Sequence, residues 1–262
     1  MKYKQILLFF LIALPLSMAL RFIQLFHIVE SNTGFYKQGF EVWGGNITAI
    51  IIGVIIAVGV FAMFSHRSPE KMPRVNLGMG ISSGILAFVT AVELVFGGET
   101  FGAVLWQRNL LYILGVAMVL WLTVYAIKDF INIKLPNATA IIPCVYFIFK
   151  LICNFAGISS LALISDNVLL MAAYSIILLF MLEFAKAYNN IDTERGFRRL
   201  LASGLASTLV CMVQSVPNIV YHLVTEGGYL HTTMATNFGI FFTGVFIAMF
   251  TFTHFSYKNA CA

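Results

Sequence analysis

Eight apolar runs, each close to the roughly 20 residues a helix needs to cross a bilayer, follow one another through this chain. They cover residues 5–26, 45–64, 76–96, 105–127, 137–157, 167–187, 200–222 and 233–254. Nothing else constrains the fold as tightly. Inside hydrocarbon every backbone N–H and C=O must find its partner within the protein, so runs of this kind have to be helices. Composition agrees: 60% of the 262 residues are hydrophobic and 10% are charged, too little polar surface for a soluble globule. A soluble enzyme and a nucleic-acid-binding domain are excluded on that ground, despite a formal charge of +5. The expectation is an all-α, polytopic transmembrane helix bundle, one integral-membrane domain over 1–262, with the lipid bilayer as its first partner.

Basic residues set the expected orientation. Lys2, Lys4, Arg67, Lys71, Arg74, Lys128, Lys134, Lys186, Arg195, Arg198, Arg199 and Lys258 are twelve of the sixteen Lys and Arg residues. All fall on one side of an eight-span arrangement, and the opposite connections carry only Lys37. Both termini are therefore expected to be cytoplasmic. A second reading stays open at the N-terminus. Met1–Lys4, the apolar Ile6–Leu14 and Ser17-Met18-Ala19 have the three parts of a secretory signal, and cleavage there would leave seven spans. The apolar run resumes after Arg21 and reaches Phe26, a full span length, which favours eight.

A polar side chain within a span is costly and is a functional hypothesis by default. Converted to depth, such residues gather in the outer half of the bundle. Arg21 and Gln24 fall there in span 1, Glu93 in span 3, Arg108 in span 4, and Lys150 and Asn154 in span 5. Asp166 and Asn167 open span 6; Gln214, Asn218 and His222 run up span 7; Thr232, Thr233, Thr236 and Asn237 enter span 8. The inner halves are apolar apart from Glu183, beside Lys186. This distribution predicts a hydrated polar cavity opening outward above an apolar floor. Gln214, Asn218 and His222 stack on one helix face, with Pro217 among them loosening the carbonyl ladder. Lys150 and Asn154, four apart, also share a face.

Each of these residues has a structural alternative. Arg21 and Arg108 can snorkel to headgroups, and Ser165-Asp166-Asn167 reads as a helix N-cap. Glu93 is placed to pair with Arg108 across a short loop. Charge in the outer half is nearly balanced, which suits an anionic or zwitterionic ligand.

Gly80 and Gly84, continued by Ala87 and Ala91, and the pair Ser203 and Ser207, are small-residue faces for close helix approach. Pro15, Arg21 and Gln24 in span 1 are echoed by Pro143, Lys150 and Asn154 in span 5, a hint of a parallel four-plus-four repeat. In the first outer loop, the aromatics of Ser31–Tyr36 and Trp43 either plug the outer mouth or anchor in the interface. Cys144, Cys153, Cys211 and Cys261 lack metal spacing and read as small apolar side chains. The histidines, at 27, 66, 222, 231 and 254, are scattered, and no HExxH, GxSxG or Gly-rich phosphate loop occurs. No cofactor or metal is expected.

Ser31–Tyr36, Ile164-Ser165-Asp166-Asn167 and Gly196-Phe197-Arg198-Arg199 resemble segments of uncharacterised bacterial multi-pass membrane proteins. The resemblance implies a bacterial cytoplasmic-membrane location and carries no activity. The leading functional expectation is a transporter for a small polar ligand. Its site would be lined by Lys150, Asn154, Gln214, Asn218 and His222, with Arg21, Glu93 and Arg108 as a charged outer ring. A ligand-sensing or regulatory subunit, signalling to a membrane or cytoplasmic partner protein through loop 189–199, is the second. An intramembrane enzyme using Lys150 with His222 is the third.

Overall fold

The computed structural model describes residues 3–30, 33–64, 76–96, 105–133, 135–157, 165–189, 191, 193–225 and 232–256. Of the basic residues that set the expected orientation, Lys2, Arg67, Lys71, Arg74, Lys134 and Lys258 lie outside the described residues, as do Cys261, His66 and His231. Eight helices follow in chain order: α1 (Tyr3–Ile23), α2 (Glu41–Met63), α3 (Leu77–Phe96), α4 (Leu105–Ile127), α5 (Ile142–Gly157), α6 (Ser165–Tyr188), α7 (Thr193–Val224) and α8 (Met234–Ser256). With the short turns attached to α1 and α5, all eight are long and apolar enough to cross a membrane, which supports a multi-pass membrane protein.

The element boundaries depart from the apolar runs in three places. α2 starts at Glu41 and α7 at Thr193, both before the apolar stretch begins. Hydropathy marks where lipid contact stops, whereas a helix continues for as long as its i→i−4 bonds are made. The third departure is at the end of α1. There Gln24–Ile28 winds as a π-helical turn, closed by the Val29 N–H donating to the Gln24 carbonyl at 3.0 Å. Wider turns of this kind rotate the following side chains and are frequent at functional positions.

α7 is the central helix. Of its apolar window 83% is buried, against 28% for α1. It packs against α1, α2, α6 and α8, while α3, α4 and α5 close a second interior with α6 and α8. Two cross-helix bonds tie these layers: the Ser207 hydroxyl donates to the Ile176 carbonyl and the Ser83 hydroxyl to the Leu122 carbonyl, each at 2.9 Å. Gly80 brings α3 against α4, since a Cβ there would sit 3.0 Å from the Ala126 carbonyl oxygen. Gly84 is not used in this way. Its position opens into a lipid-side groove between α3 and α4, and a Cβ there would meet nothing within 4 Å.

The bundle has two chemically different ends. Where α1 begins and α8 finishes, Phe10 meets Phe252, and Trp121, Tyr125, Phe184, Phe246 and Phe250 form a continuous aromatic floor. Lys128 lies 4.7 Å above both the Tyr125 and the Tyr188 rings. Burial draws its ammonium below the ordinary lysine value, and Asp129 pulls in the opposite direction. Glu183 pairs with Lys186 at 2.9 Å at this end. Cys144, Cys153 and Cys211 are buried free thiols. The other end holds the polar residues.

Candidate functional site

Two separate clusters occupy the polar end, in place of the single cavity expected from depth alone. The first is built around Asp166, the second residue of α6. Its Oδ1 accepts from Arg21 Nη2 (2.9 Å), Gln214 Nε2 (2.7 Å) and Asn218 Nδ2 (2.6 Å), and its Oδ2 accepts from the Thr232 hydroxyl (3.2 Å). Arg21 in turn donates through Nη1 to Gln24 Oε1 at 2.7 Å and through Nη2 to Asn218 Oδ1 at 3.3 Å. α8 joins through Asn237, which donates to Thr232 Oγ1 at 3.1 Å and stands 3.4 Å from Asn218. Gln24 carries the network to α2, donating to the Gly44 carbonyl and to Thr48 Oγ1, both at 2.8 Å. Five helices thus send side chains or carbonyls into one knot.

The local sequence explains the convergence. Asp166 sits where the α6 helix starts, Arg21 and Gln24 flank the entry to the π turn, and Gln214 and Asn218 are one turn apart on α7 across Pro217. The guanidinium is fully buried and cannot shed its proton, so it needs a carboxylate and neutral acceptors around it. The same pressure closes the site: buried together, these groups satisfy one another. Gln214 Oε1 remains buried without a hydrogen-bond partner among the described residues.

A short hairpin caps this cluster. Val29 and Tyr36 form an antiparallel bridge, with the Lys37 N–H donating to the Ile28 carbonyl at 2.8 Å and Gly34 at φ +72° making the turn. Tyr36 reaches inward, its hydroxyl 3.3 Å from Gln24 Nε2 and 3.4 Å from Thr48 Oγ1, and its ring lies over Gly44, where any Cβ would collide with it. Trp43, Phe35 and Phe40 are exposed. Of these aromatics, Tyr36 is the one that reaches the Asp166 cluster through Gln24.

The second cluster is an ion pair across α3 and α5. Lys150 Nζ is 2.8 Å from both carboxylate oxygens of Glu93. Both residues are buried, and the ammonium also lies 5.1 Å from the Tyr174 ring centroid and 5.5 Å from that of Tyr146. The expected Glu93–Arg108 pair is not formed: Arg108 is exposed at the start of α4, and Glu93 faces the interior, where Lys150 meets it. Lys150 is therefore neither in lipid nor on the α7 stripe.

Two further sequence-predicted residues stand apart from the centres. Asn154 is half-buried and donates to the Lys150 carbonyl of its own helix at 2.8 Å. His222 is half-buried, with Nε2 2.9 Å from the Thr232 carbonyl, at the rim of the Asp166 cluster. Lys150 and His222 therefore belong to different clusters, which removes the acid–base pairing. The proposed repeat fails on the same evidence. Arg21 pairs with α6, so a parallel repeat would give Lys150 a partner on α2, and its partner is on α3.

Sequence reasoning placed Asp166 at the outer end as a helix cap, where it is in fact the hub. Thr48 carried no signal, whereas Tyr36 was visible among the aromatics of the first loop and Thr232 and Asn237 as polar residues entering a span. Among the described residues no group of three or more His, Cys, Asp or Glu could hold a metal ion. Chemically, the first cluster offers a cation, an anion and neutral amides within one dry volume; the second offers one carboxylate opposite one ammonium. No protein family, curated protein or solved structure matches the chain, so the reading of these two clusters rests on their geometry.

Proposed function

We propose that this chain is a transporter of the bacterial cytoplasmic membrane, with both termini cytoplasmic, which takes up a small zwitterionic or anionic ligand at the Arg21–Asp166 cluster. The observation that carries the reading is the buried Arg21–Asp166 pair surrounded by the amides of Gln214, Asn218 and Asn237. Two opposite charges set side by side among neutral amides and the Thr232 hydroxyl match the two poles of a zwitterion. A ligand carboxylate would take Arg21, and a ligand ammonium would take Asp166 and the open acceptor Gln214 Oε1. Arg108 and Asn154 drop out of this site, and Tyr36 enters it as the outer cap. Backbone irregularities at the site support movement there: the π turn starts at Gln24, three residues after Arg21, and Pro217 precedes Asn218. Irregular helices beside a buried polar site are characteristic of alternating-access carriers.

A second reading is favoured by α7. It runs without interruption from Asn218 to Thr193, with Arg199 4.0 Å from Glu183 at the far end. Such a rod could report ligand occupancy to a cytoplasmic partner through loop 189–199. Thermal stabilisation of the purified protein by a panel of amino acids and small carboxylates, followed by uptake of the radiolabelled hit into proteoliposomes, separates the readings. Stabilisation and uptake, both lost in Asp166→Asn and Asn218→Leu, support transport. Stabilisation without uptake overturns transport and retains the sensor. No response to either class of compound overturns the site.

A further inference from the structure

The two buried ion pairs differ in how they can respond to a proton. Asp166 Oδ1 faces three N–H donors, from Arg21, Gln214 and Asn218, none of which can accept a proton in return, and Oδ2 faces the Thr232 hydroxyl, whose oxygen already accepts from Asn237. Protonation there would set a new O–H among N–H groups. Glu93 is held differently. Both of its oxygens are engaged by one flexible side chain, Lys150, each at 2.8 Å. When Glu93 loses its charge, a single rotation of the lysine stem releases both oxygens at once.

The surroundings of Lys150 make that release tolerable. Its ammonium already lies over the rings of Tyr146 and Tyr174, so the cation keeps an electrostatic partner after the carboxylate is neutralised. The hydroxyls of both tyrosines are buried without a hydrogen-bond partner of good geometry among the described residues. A cavity of about 10 Å³, room for a single water, adjoins the pair and is lined by the Thr90 and Thr243 side chains. Glu93 is three residues from the last residue of α3, Phe96, close to the polar end of the bundle. The titratable groups facing Glu93 are Lys150 and Tyr146 from α5 and Tyr174 from α6; α4 brings Met118, and α8 brings Gly239 and Thr243, which do not titrate.

We infer that the Glu93–Lys150 pair is a reversible proton-binding site, and that a proton is the coupling ion of the transporter. One proton from water adds to the Glu93 carboxylate, Lys150 stays an ammonium, and the net charge of the pair rises from zero to +1. α8 links this event to the Asp166 cluster. Gly239 abuts Glu93, where a Cβ would sit 2.7 Å from Oε2, and Asn237, two residues earlier, bonds Thr232 at the other site. The coupling role rests on the transport reading; the proton site rests on the geometry of the pair alone.

The test uses the proton itself as probe. Infrared difference spectra of the full-length protein in liposomes are recorded while the pH is stepped from about 9 to about 4, a range that includes ordinary carboxyl values. The expected result is a reversible band from the C=O stretch of a protonated carboxylic acid in a dry site. It should titrate as one proton, be absent in Glu93→Gln, and persist in Asp166→Asn. Glu93→Gln holds the pair permanently in its neutralised-carboxylate form, so the double variant Glu93→Gln/Lys150→Met, which carries neither charge, is measured alongside, and the band must be missing there as well. No such band in the wild type, or one that survives both Glu93 variants, overturns the proton site. If the band behaves as expected while no zwitterion or anion is taken up, the transport reading fails and the proton site stands.

Discussion

Removing the charge of Asp166 should damage this protein more than removing the charge of Arg21, although the two form one ion pair. In Asp166→Asn, a guanidinium with no exposure loses the carboxylate it bonds at 2.9 Å, and it cannot deprotonate to escape. Breaking a buried pair in that direction costs about 3–5 kcal/mol. In Arg21→Met the carboxylate keeps three donors, from Gln214, Asn218 and Thr232. What is lost is one charge-assisted bond and the donors to Gln24 and Asn218, about 1–3 kcal/mol. The double variant has no stranded charge, so adding Arg21→Met to Asp166→Asn should restore stability, with a coupling of roughly 2–3 kcal/mol. Equilibrium unfolding in mixed micelles by SDS titration, followed by tryptophan fluorescence, gives the four free energies. If Arg21→Met costs as much as Asp166→Asn, or if the double variant is weaker than Asp166→Asn alone, the account of this cluster as a guanidinium neutralised by one hub carboxylate is wrong.

Three other outcomes can be checked with the same preparation. Gly44→Ala drives a Cβ into the Tyr36 ring and should cost about 1–3 kcal/mol, part of which Tyr36→Ala recovers in the double variant. Gly80→Ala should destabilise, because its Cβ meets the Ala126 carbonyl at 3.0 Å; Gly84→Ala meets nothing and should stabilise by up to about 1 kcal/mol through helix propensity, so unfolding midpoints that move together would contradict the packing. Pro217→Ala completes the α7 hydrogen-bond ladder and should slow uptake of the identified ligand several-fold while leaving its binding intact; uptake at the wild-type rate would remove Pro217 from the mechanism.

Much of the architecture can be read along the chain because lipid imposes a one-dimensional rule. A run such as Ile47–Met63 can cross hydrocarbon only as a helix, so number, order and approximate ends follow from apolar length. The concentration of polar residues toward one end is legible for the same reason: depth is a linear coordinate. Partner choice is not linear. Glu93 lies fifteen residues before Arg108, yet it binds Lys150 from α5, because the facing of α3 puts its carboxylate inward while Arg108 is left exposed.

The π turn at Gln24–Ile28 is also invisible to periodicity, since one extra residue in a single turn leaves apolar spacing almost unchanged, although it swings Gln24 onto α2. Asp166 shows the same division. Along the chain it is one of three polar residues at a helix start, and any of them could have been only a cap. In three dimensions α1, α7 and the segment leading into α8 bring Arg21, Gln214, Asn218 and Thr232 to its two oxygens, and the cost of leaving any of those groups unpaired in a buried interior makes it the hub. The sequence by itself determined an eight-helix membrane bundle, polar at one end, from the energetics of each helix with lipid. Only tertiary structure decided that the polar residues form two closed ion pairs and not an open cavity, because pairing depends on which helices meet and which faces they turn to one another.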